Sequence, residues 1–341
     1  MNNFGEVLAA INIHVKLPEE DARMKRIFIC IMFFMLLLTS CTDNNSTQNS
    51  ISNSTQNSIS KSSTIREEVK EFAKVDGIEV INSDVNENME KLINKSGSTV
   101  QERIKVPEGF QRVEVEKNSY SQYMRELPVK PNGSKIKLYN GDETNKDVHV
   151  AVLDIDVGNR DLQQCADAVI RLRAEYLYSQ GMFERIHFNF TNGFNADYSS
   201  WMNGNRIVIN GNKSHWVKKT GYSNEYSSFR KYLDVVFAYA GTLSLSNEMK
   251  FVPIENMQIG DVFLKGATPG HTVVILDMAE NKKTGEKIFM IAQSYMPAQD
   301  IHILKNPGNK EMSPWYSVEF GEVLSTPEWE FKKDQLMRFQ N

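Results

Sequence analysis

Cys165 is the residue in this chain whose type and position best suit nucleophilic catalysis. It lies near the start of a predicted helix over 162–178, which follows the turn residues Gly-Asn-Arg-Asp at 158–161. The positive end of a helix dipole favours a thiolate, which is the nucleophilic form of cysteine. Cys165 also falls on the apolar stripe of its helix, and free cysteines are often buried. We therefore weigh a catalytic nucleophile against an inert core thiol.

A thiol nucleophile needs a base within hydrogen-bond reach, and His271 is the best local candidate among the six histidines. It follows Pro-Gly and opens the apolar predicted strand over 271–277, a position typical of a cleft. His149, His187 and His302 alternate with apolar neighbours in predicted strands, so we interpret them as structural. The alternative for His271 is a hydrogen-bonded structural histidine.

The third candidate is Gln293, at the end of the predicted strand that returns from a turn over 281–285. If the turn is centred on Lys282 and Lys283, paired residue numbers add up to about 564, and His271 opposes Gln293. Opposed residues of an antiparallel pair project from the same face, with Cβ atoms roughly 4.5–5.5 Å apart. The amide oxygen would then fix the imidazole tautomer, as the third member of a triad does. A one-residue slip would separate the two side chains, and a structural amide is the alternative.

The elements that position these residues follow from periodicity and turn signals. We predict helices over 120–127, 162–178 and 226–240, with Asn159 or Asp161 capping the second. Strands are predicted over 135–139, 148–155, 185–190, 206–209, 261–264, 271–277, 287–292 and 300–304. Because no long linker divides residues 104–341, we expect them to form a single α+β domain.

Composition excludes several classes of protein. The chain has 341 residues, of which 40% are hydrophobic and 24% charged, as in globular proteins. The formal charge of -4 lacks the basic footprint of a nucleic-acid binder. Three cysteines without a CxxC pair exclude a thiolate zinc site. Asp154, Asp156 and Asp161 miss the spacing of a calcium loop, so we predict neither a metal nor a cofactor.

The N-terminal part of the chain carries an export signal. Residues 24–26 (Met-Lys-Arg) precede an apolar run over 27–38, and LTSC at 38–41 closes it. This run is too short to span a bilayer, but it suits a signal peptide. LTSC resembles the bacterial lipobox, which implies lipidation of Cys41 and a membrane anchor on the exported side of the cell envelope; the alternative is an uncleaved signal anchor. Residues 1–23 are acidic, unlike the start of a signal peptide, and we interpret them as a mis-called or extra N-terminal extension, with Met24 as the expected true start.

A polar segment separates this anchor from the folded domain. Residues 42–64 are rich in Ser, Asn, Thr and Gln, and the octapeptide NSTQNSIS occurs at 45–52 and again at 53–60. Such a composition cannot bury enough apolar area to fold, so we predict a disordered tether with a reach of about 25 Å. Residues 65–103 are polar with weak helical periodicity and are predicted to be a loosely ordered lead-in.

Two family resemblances follow from these motifs. The order of a helix-borne Cys165, GDVF at 260–263, Gly-His at 270–271 and Gln293 resembles the papain-like cysteine hydrolases, in particular the NlpC-type cell-wall peptidases. It implies an NlpC-type fold in which the helix bearing the cysteine packs on an antiparallel sheet. One departure is that Gln163 and Gln164 lie too close to Cys165 to match the upstream glutamine of papain relatives. The backbone N–H of Cys165 could serve in the oxyanion hole instead, with a second donor unassigned.

A longer resemblance links most of residues 104–341 to an uncharacterised family of exported bacterial proteins and lipoproteins, domain-of-unknown-function family 4846. The matching stretches are LPVKPNGS at 127–134, DIDVG at 154–158, DLQQCADA at 161–168, RLRAEY at 171–176, YAGTLS at 239–244, QSYMPAQ at 293–299 and SPWY at 313–316. This family implies no reaction.

Together these observations predict a membrane-anchored cysteine hydrolase that acts on an amide bond. Cys165 is the expected nucleophile, His271 the general base and acid, and Gln293 the orienting residue. A peptide or peptidoglycan substrate is expected from the location alone. The alternative is a non-catalytic surface lipoprotein that binds an envelope glycan or a partner protein, for which His215, Trp216, Trp315, Tyr316 and Trp329 are candidate contact residues.

Overall fold

The structure is a computed structural model that describes residues 91–340. The predicted extension over 1–23, signal peptide over 24–41 with Cys41, and tether over 42–64 lie outside the described residues. Across 91–340, no helix has both the length and the apolar character that a bilayer crossing requires. Residues 91–103, placed above in the lead-in, contribute the buried side chains of Leu92 and Val100 to the core.

The described helices agree with most of the predicted ones. They are Val100–Arg103 (α1), Tyr120–Arg125 (α2), Cys165–Ser179 (α3), Tyr198–Met202 (α4), Tyr226–Tyr239 (α5) and Thr242–Glu248 (α6), with 3-10 turns at Phe183–Arg185, Ile254–Asn256 and Lys333–Gln335. Helices α1, α4 and α6, which are four, five and seven residues long, were not predicted. Elements this short show too little periodicity to be recognised.

Most strands belong to one sheet. They are Gln111–Arg112 (β1), His149–Val152 (β2), His187–Asn189 (β3), Asn195–Asp197 (β4), Asn205–Asn210 (β5), Lys213–Lys218 (β6), Lys250–Phe251 (β7), Val262–Lys265 (β8), His271–Glu280 (β9), Lys287–Gln293 (β10), His302–Leu304 (β11), Tyr316–Ser317 (β12), Val323–Ser325 (β13), Glu330–Lys332 (β14) and Leu336–Arg338 (β15). The order across the sheet is β2-β11-β10-β9-β8-β15-β7, with β1 added to β9 and β12 to β10. All of these pairings are antiparallel.

Three separate hairpins complete the fold: β3 with β4, β5 with β6, and β13 with β14. The predicted strand over 135–139 was wrong. Leu138 N donates to Asp142 O, so the chain reverses at once and only isolated bridges form at Lys137 and Leu138.

Helix α3 packs on β9 and β10 at the centre of the sheet. Both strands are almost entirely apolar and buried because the sheet is covered at this point. The α+β class with an antiparallel sheet is therefore confirmed. This packing places the first residue of α3 close to the first residues of β9.

Candidate active site

Cys165 is the first residue of α3, and the predicted helix start at 162 was wrong. Gln164 is extended, and its backbone N–H donates to Asp167 Oδ2 at 3.0 Å, which caps the helix. Neither Asn159 nor Asp161 is the cap. Asp161 Oδ1 instead accepts from the backbone N–H of Ala298 at 2.7 Å and ties the preceding loop to the sheet. Cys165 therefore lies among the free N–H groups of the first helical turn.

The Cys165 side chain is 7% exposed and borders a cleft of about 510 Å³. Asp167, Thr242, Gly270 and Trp329 border the same cleft. Burial raises the pKa of the thiol to about 11, and the Asp167 carboxylate acts in the same direction. Backbone groups of Ala166, Thr272 and Cys165 itself oppose this rise. The thiol is therefore neutral in the empty cleft, with amides placed to stabilise a thiolate.

His271 and Gln293 are in direct contact, with His271 Nε2 at 2.7 Å from Gln293 Oε1. The predicted register behind this contact was wrong. Strand β10 pairs Lys287 with Glu280 and, beyond a β-bulge at Met290/Ile291, Ala292 with Val274. In this register, His271 does not face Gln293 directly. It lies on β9 two residues away from the position that faces Gln293, so the two residues are diagonal neighbours. Since a bulge reverses which residues share a face, it is the bulge that puts both side chains on one face.

A carboxylate fixes the orientation of the Gln293 amide. Gln293 Nε2 donates to Glu328 Oε2 at 2.6 Å, so the amide nitrogen faces Glu328 and the amide oxygen faces His271. An amide oxygen only accepts, which places the imidazole proton on Nε2 of His271. Nδ1 then carries the lone pair and is the basic nitrogen. Lys146 holds Glu328 in turn, at 2.5 Å.

Aromatic rings enclose the His271 imidazole. The Trp329 ring stacks on it with centroids 4.9 Å apart at 18°, Tyr295 lies 5.1 Å away and Phe331 6.2 Å away. His271 is 2% exposed, and this burial lowers its pKa to about 4, although Gln293 and Glu328 oppose the fall. The imidazole is therefore neutral at physiological pH, as a general base must be.

The cysteine lies beside the backbone of the residue that follows His271. The Thr272 backbone acts on the Cys165 thiol, Gly270 borders its cleft, and Trp329 both borders that cleft and stacks on the imidazole. Across residues 91–340, no hydrogen bond joins Cys165 Sγ to the His271 ring. The structure thus brings His271 and Gln293 into contact with each other, and it places Cys165 beside the Thr272 backbone, in a cleft that Gly270 and Trp329 also border.

The remaining candidate residues have other surroundings. Asp156 forms ion pairs with Arg171 and Arg230, and within 91–340 no group of three acidic, His or Cys residues is arranged to hold a metal ion. Trp315 is fully buried and its Nε1 donates to the Lys105 carbonyl, so it is a core residue. Among the aromatic candidates, Trp329 is the one that borders the cleft of Cys165.

Sequence reasoning missed Asp167 and Glu328 and did not connect Trp329 with His271. Glu328 and Trp329 lie more than 30 residues beyond Gln293, in a turn before β14. No local sequence pattern predicts that they contact Gln293 and His271. Asp167 had a local signal. An acidic residue three positions after a helix cap is typical of a capping box, and recognising it would have placed the helix start at Cys165.

One comparison with known proteins identifies a family. The profile of the family described as Domain of unknown function (4846) covers residues 100–338. The chain belongs to this family. The covered range contains Cys165, His271, Gln293 and Glu328, so the whole candidate site lies in the shared domain. Comparison with curated proteins and with solved structures found no match.

Proposed function

We propose that this protein of domain-of-unknown-function family 4846 is a lipid-anchored cysteine hydrolase of papain-like, NlpC-type architecture that cleaves an amide bond in the cell envelope. The observation that carries the proposal is the His271–Gln293–Glu328 chain beside Cys165. It fixes the imidazole proton on Nε2 and leaves Nδ1 basic, as a general base for a thiol requires.

The reaction would follow the acyl-transfer scheme. The thiol proton of Cys165 passes to Nδ1 of His271, and the sulfur attacks the substrate carbonyl. The tetrahedral oxyanion would lie against the backbone N–H of Cys165 at the start of α3. Gln164 supplies the second donor, since its side chain borders the cleft and Nε2 uses one hydrogen on Asp161 Oδ1 at 3.0 Å. Collapse to a thioester releases the amine, which takes its proton from His271, and water then releases the acid.

The burial of both reacting groups supports a step that begins from a neutral pair. A raised thiol pKa and a lowered imidazole pKa disfavour the thiolate–imidazolium pair in the empty cleft. Substrate binding would have to bring Sγ and Nδ1 together, because catalytic hydrogen bonds often tighten only in the complex. Without substrate, the reactivity of the Cys165 thiol towards alkylating reagents is then expected to be modest and to depend on His271.

A mass-spectrometric hydrolysis assay tests this proposal. The full chain in detergent is incubated with soluble peptidoglycan fragments and with a mixture of unrelated peptides, and products that have gained one water are identified. Wild type is expected to cleave amide bonds, and Cys165→Ala is expected to lose all cleavage. Cleavage that persists in Cys165→Ala would refute the assignment. If no fragment is cleaved and the Cys165 thiol is unreactive, the non-catalytic binding lipoprotein is the better description.

The proposed anchor has a separate test, because Cys41 lies outside the described residues. In a bacterial host with lipoprotein processing, the wild-type chain is expected in the membrane fraction, labelled by a radioactive fatty acid. Cys41→Ser should abolish the label. A Cys41→Ser chain that is still labelled would contradict lipidation at this residue.

A further inference from the structure

Asp167 has one oxygen that nothing in the described structure explains. The side chain is 6% exposed, and Oδ2 accepts from the Gln164 backbone N–H. Oδ1 is buried and has no hydrogen-bond partner among the described residues. Buried polar atoms are nearly always partnered, so the unpartnered oxygen of a side chain that borders the cleft points to a missing donor. Helix capping needs only Oδ2 and does not account for Oδ1.

The surroundings of this oxygen suit a cationic group. Asp161 and Asp167 both border the cleft, and none of the described residues that border it is Lys, Arg or His. The rest of the lining is largely apolar, with Phe237, Met296 and Trp329 among it. A cleft that combines acidic side chains with apolar walls attracts a positive ligand, because the low dielectric strengthens the interaction.

The Asp167 carboxylate also lies near the nucleophile, since both side chains border the same cleft and the carboxylate acts on the Cys165 thiol. A donor bound to Oδ1 would therefore lie close to the bond that Cys165 attacks. We infer that the cleft selects substrates carrying a protonated amine near the scissile amide, and that Asp167 is the specificity-determining residue that accepts from this amine. This inference rests on the proposed function, since it requires the cleft of Cys165 to be the substrate site.

A consequence for the thiol follows from the same contact. The Asp167 carboxylate is one of the two causes that raise the pKa of Cys165, after burial. Burial likewise raises the pKa of Asp167 well above its usual value, which disfavours the carboxylate in the empty cleft. An ammonium group against Oδ1 favours the ionised carboxylate and offsets its effect on the thiol. The bound ion pair as a whole would then leave the pKa of the thiol close to its value beside the neutral acid.

Three thiol reagents that differ in charge test the inference without knowledge of the substrate. They are the methanethiosulfonates carrying a 2-aminoethyl cation, a neutral methyl group or a 2-sulfonatoethyl anion. The Cys165 thiolate attacks the sulfenyl sulfur, a mixed disulfide forms, methanesulfinate leaves with the electron pair of the broken bond, and the thiol proton passes to water. Rates are measured on the folded full chain by quantifying the Cys165 peptide. The rate of each reagent with Cys165 is divided by the rate of the same reagent with 2-mercaptoethanol, which removes the intrinsic reactivity of the reagent.

The expected cation-to-anion ratio at Cys165 is about tenfold above that of 2-mercaptoethanol, from a charge interaction worth roughly 1.4 kcal/mol per factor of ten. Asp167→Asn keeps an oxygen for the helix cap and should remove most of this preference. Glu108→Gln makes the same change of charge at an exposed turn outside the cleft lining and should leave it intact. If Asp167→Asn does not fold, Asp161→Asn is the deciding variant. A cation preference that Asp161→Asn retains supports the assignment to Asp167, and a cation preference that it loses overturns that assignment.

The outcomes separate this inference from the proposed function. If Cys165 reacts with all three reagents at the ratio of 2-mercaptoethanol, the amine preference is refuted while the nucleophile stands. If Cys165 reacts with none of them, the proposed hydrolase fails and the inference fails with it. A preference for the anion would overturn the inference alone.

Discussion

The candidate site has a sheet side and a helix side, which differ in how completely their polar groups are paired. On the sheet side, His271, Gln293, Glu328 and Lys146 form an unbroken series of contacts of 2.5–2.7 Å. On the helix side, Asp167 Oδ1 has no partner among the described residues, and no hydrogen bond there joins Cys165 Sγ to the imidazole. The two sides are nevertheless adjacent, since Trp329 touches both the cleft and the His271 ring.

This difference indicates which half of the site is complete before a ligand arrives. A fully paired network rigidifies its members, so the imidazole is held in one orientation and one tautomer. The helix side carries a neutral thiol and an unpaired acid, both of which a bound substrate could change. In the proposed function, the base is prepared in advance and the nucleophile is completed by the substrate.

The strongest test of the sheet side is His271→Ala. Loss of a general base lowers hydrolysis by about 10²–10⁴-fold. The rate should be measured with any peptide that wild type cleaves, and added imidazole should restore part of it. His187→Ala is the matched control, because His187 is half-exposed and pairs with Glu248 outside the cleft lining. Equal losses in both variants would indicate a general effect on folding.

A smaller loss is expected from Glu328→Gln, which keeps the side-chain shape but allows the Gln293 amide to flip. His271 would then divide between its two tautomers, and hydrolysis should fall by about tenfold, the factor that about 1.4 kcal/mol represents. Glu330→Gln makes the same substitution at an exposed position of β14 and should change the rate by less than about twofold. If Glu328→Gln matches wild type, the carboxylate does not orient the amide.

The remaining effects concern stability, and the two sides should respond to pH in opposite directions. The folded pKa values of His271 and His302 are lowered to about 4 and about 3, so only the unfolded chain takes up these protons below about pH 6.5. Each histidine then reduces the unfolding free energy by up to about 1.4 kcal/mol per pH unit as the pH falls towards those values. The folded pKa of Asp167 is raised, so its contribution is lost as the pH rises.

Urea unfolding between pH 4 and pH 8 separates these contributions. His302→Gln should flatten the acid side of the stability profile, while Asp167→Asn should flatten the neutral side. The comparison is of slopes, so a uniform loss of stability in either variant leaves the test valid. A wild-type profile with the same slope as both variants would contradict the pKa directions on which the two-sided description depends.

The sequence predicted the long elements of the fold but not their details. Periodicity was sufficient for α3 and α5 because helices of 15 and 14 residues repeat their apolar pattern several times. The start of α3 was missed by three residues because Asp161, the expected cap, is used by the Ala298 backbone. That contact joins residues 137 positions apart, so no local pattern reveals it.

The site was predictable only where it depended on a hairpin. Since the turn at 281–285 connects β9 to β10, the backbones of His271 and Gln293 had to lie near the same end of the hairpin, while the face that each side chain occupies depended on the register. The β-bulge at Met290/Ile291 could not be inferred, and the predicted register failed there. Glu328 and Trp329 are brought to Gln293 and His271 by tertiary packing alone, which is why the orientation of the Gln293 amide required the structure.

The most direct test of a joint Cys165–His271 site is the rate at which iodoacetamide alkylates Cys165 in the folded protein at pH 7. Peptide mass spectrometry should follow Cys165 separately from Cys30 and Cys41. We predict slow but measurable alkylation in wild type, reduced at least tenfold in His271→Ala and unchanged in His187→Ala. Equal rates in wild type and His271→Ala, or a Cys165 that reacts only after unfolding, would contradict the account.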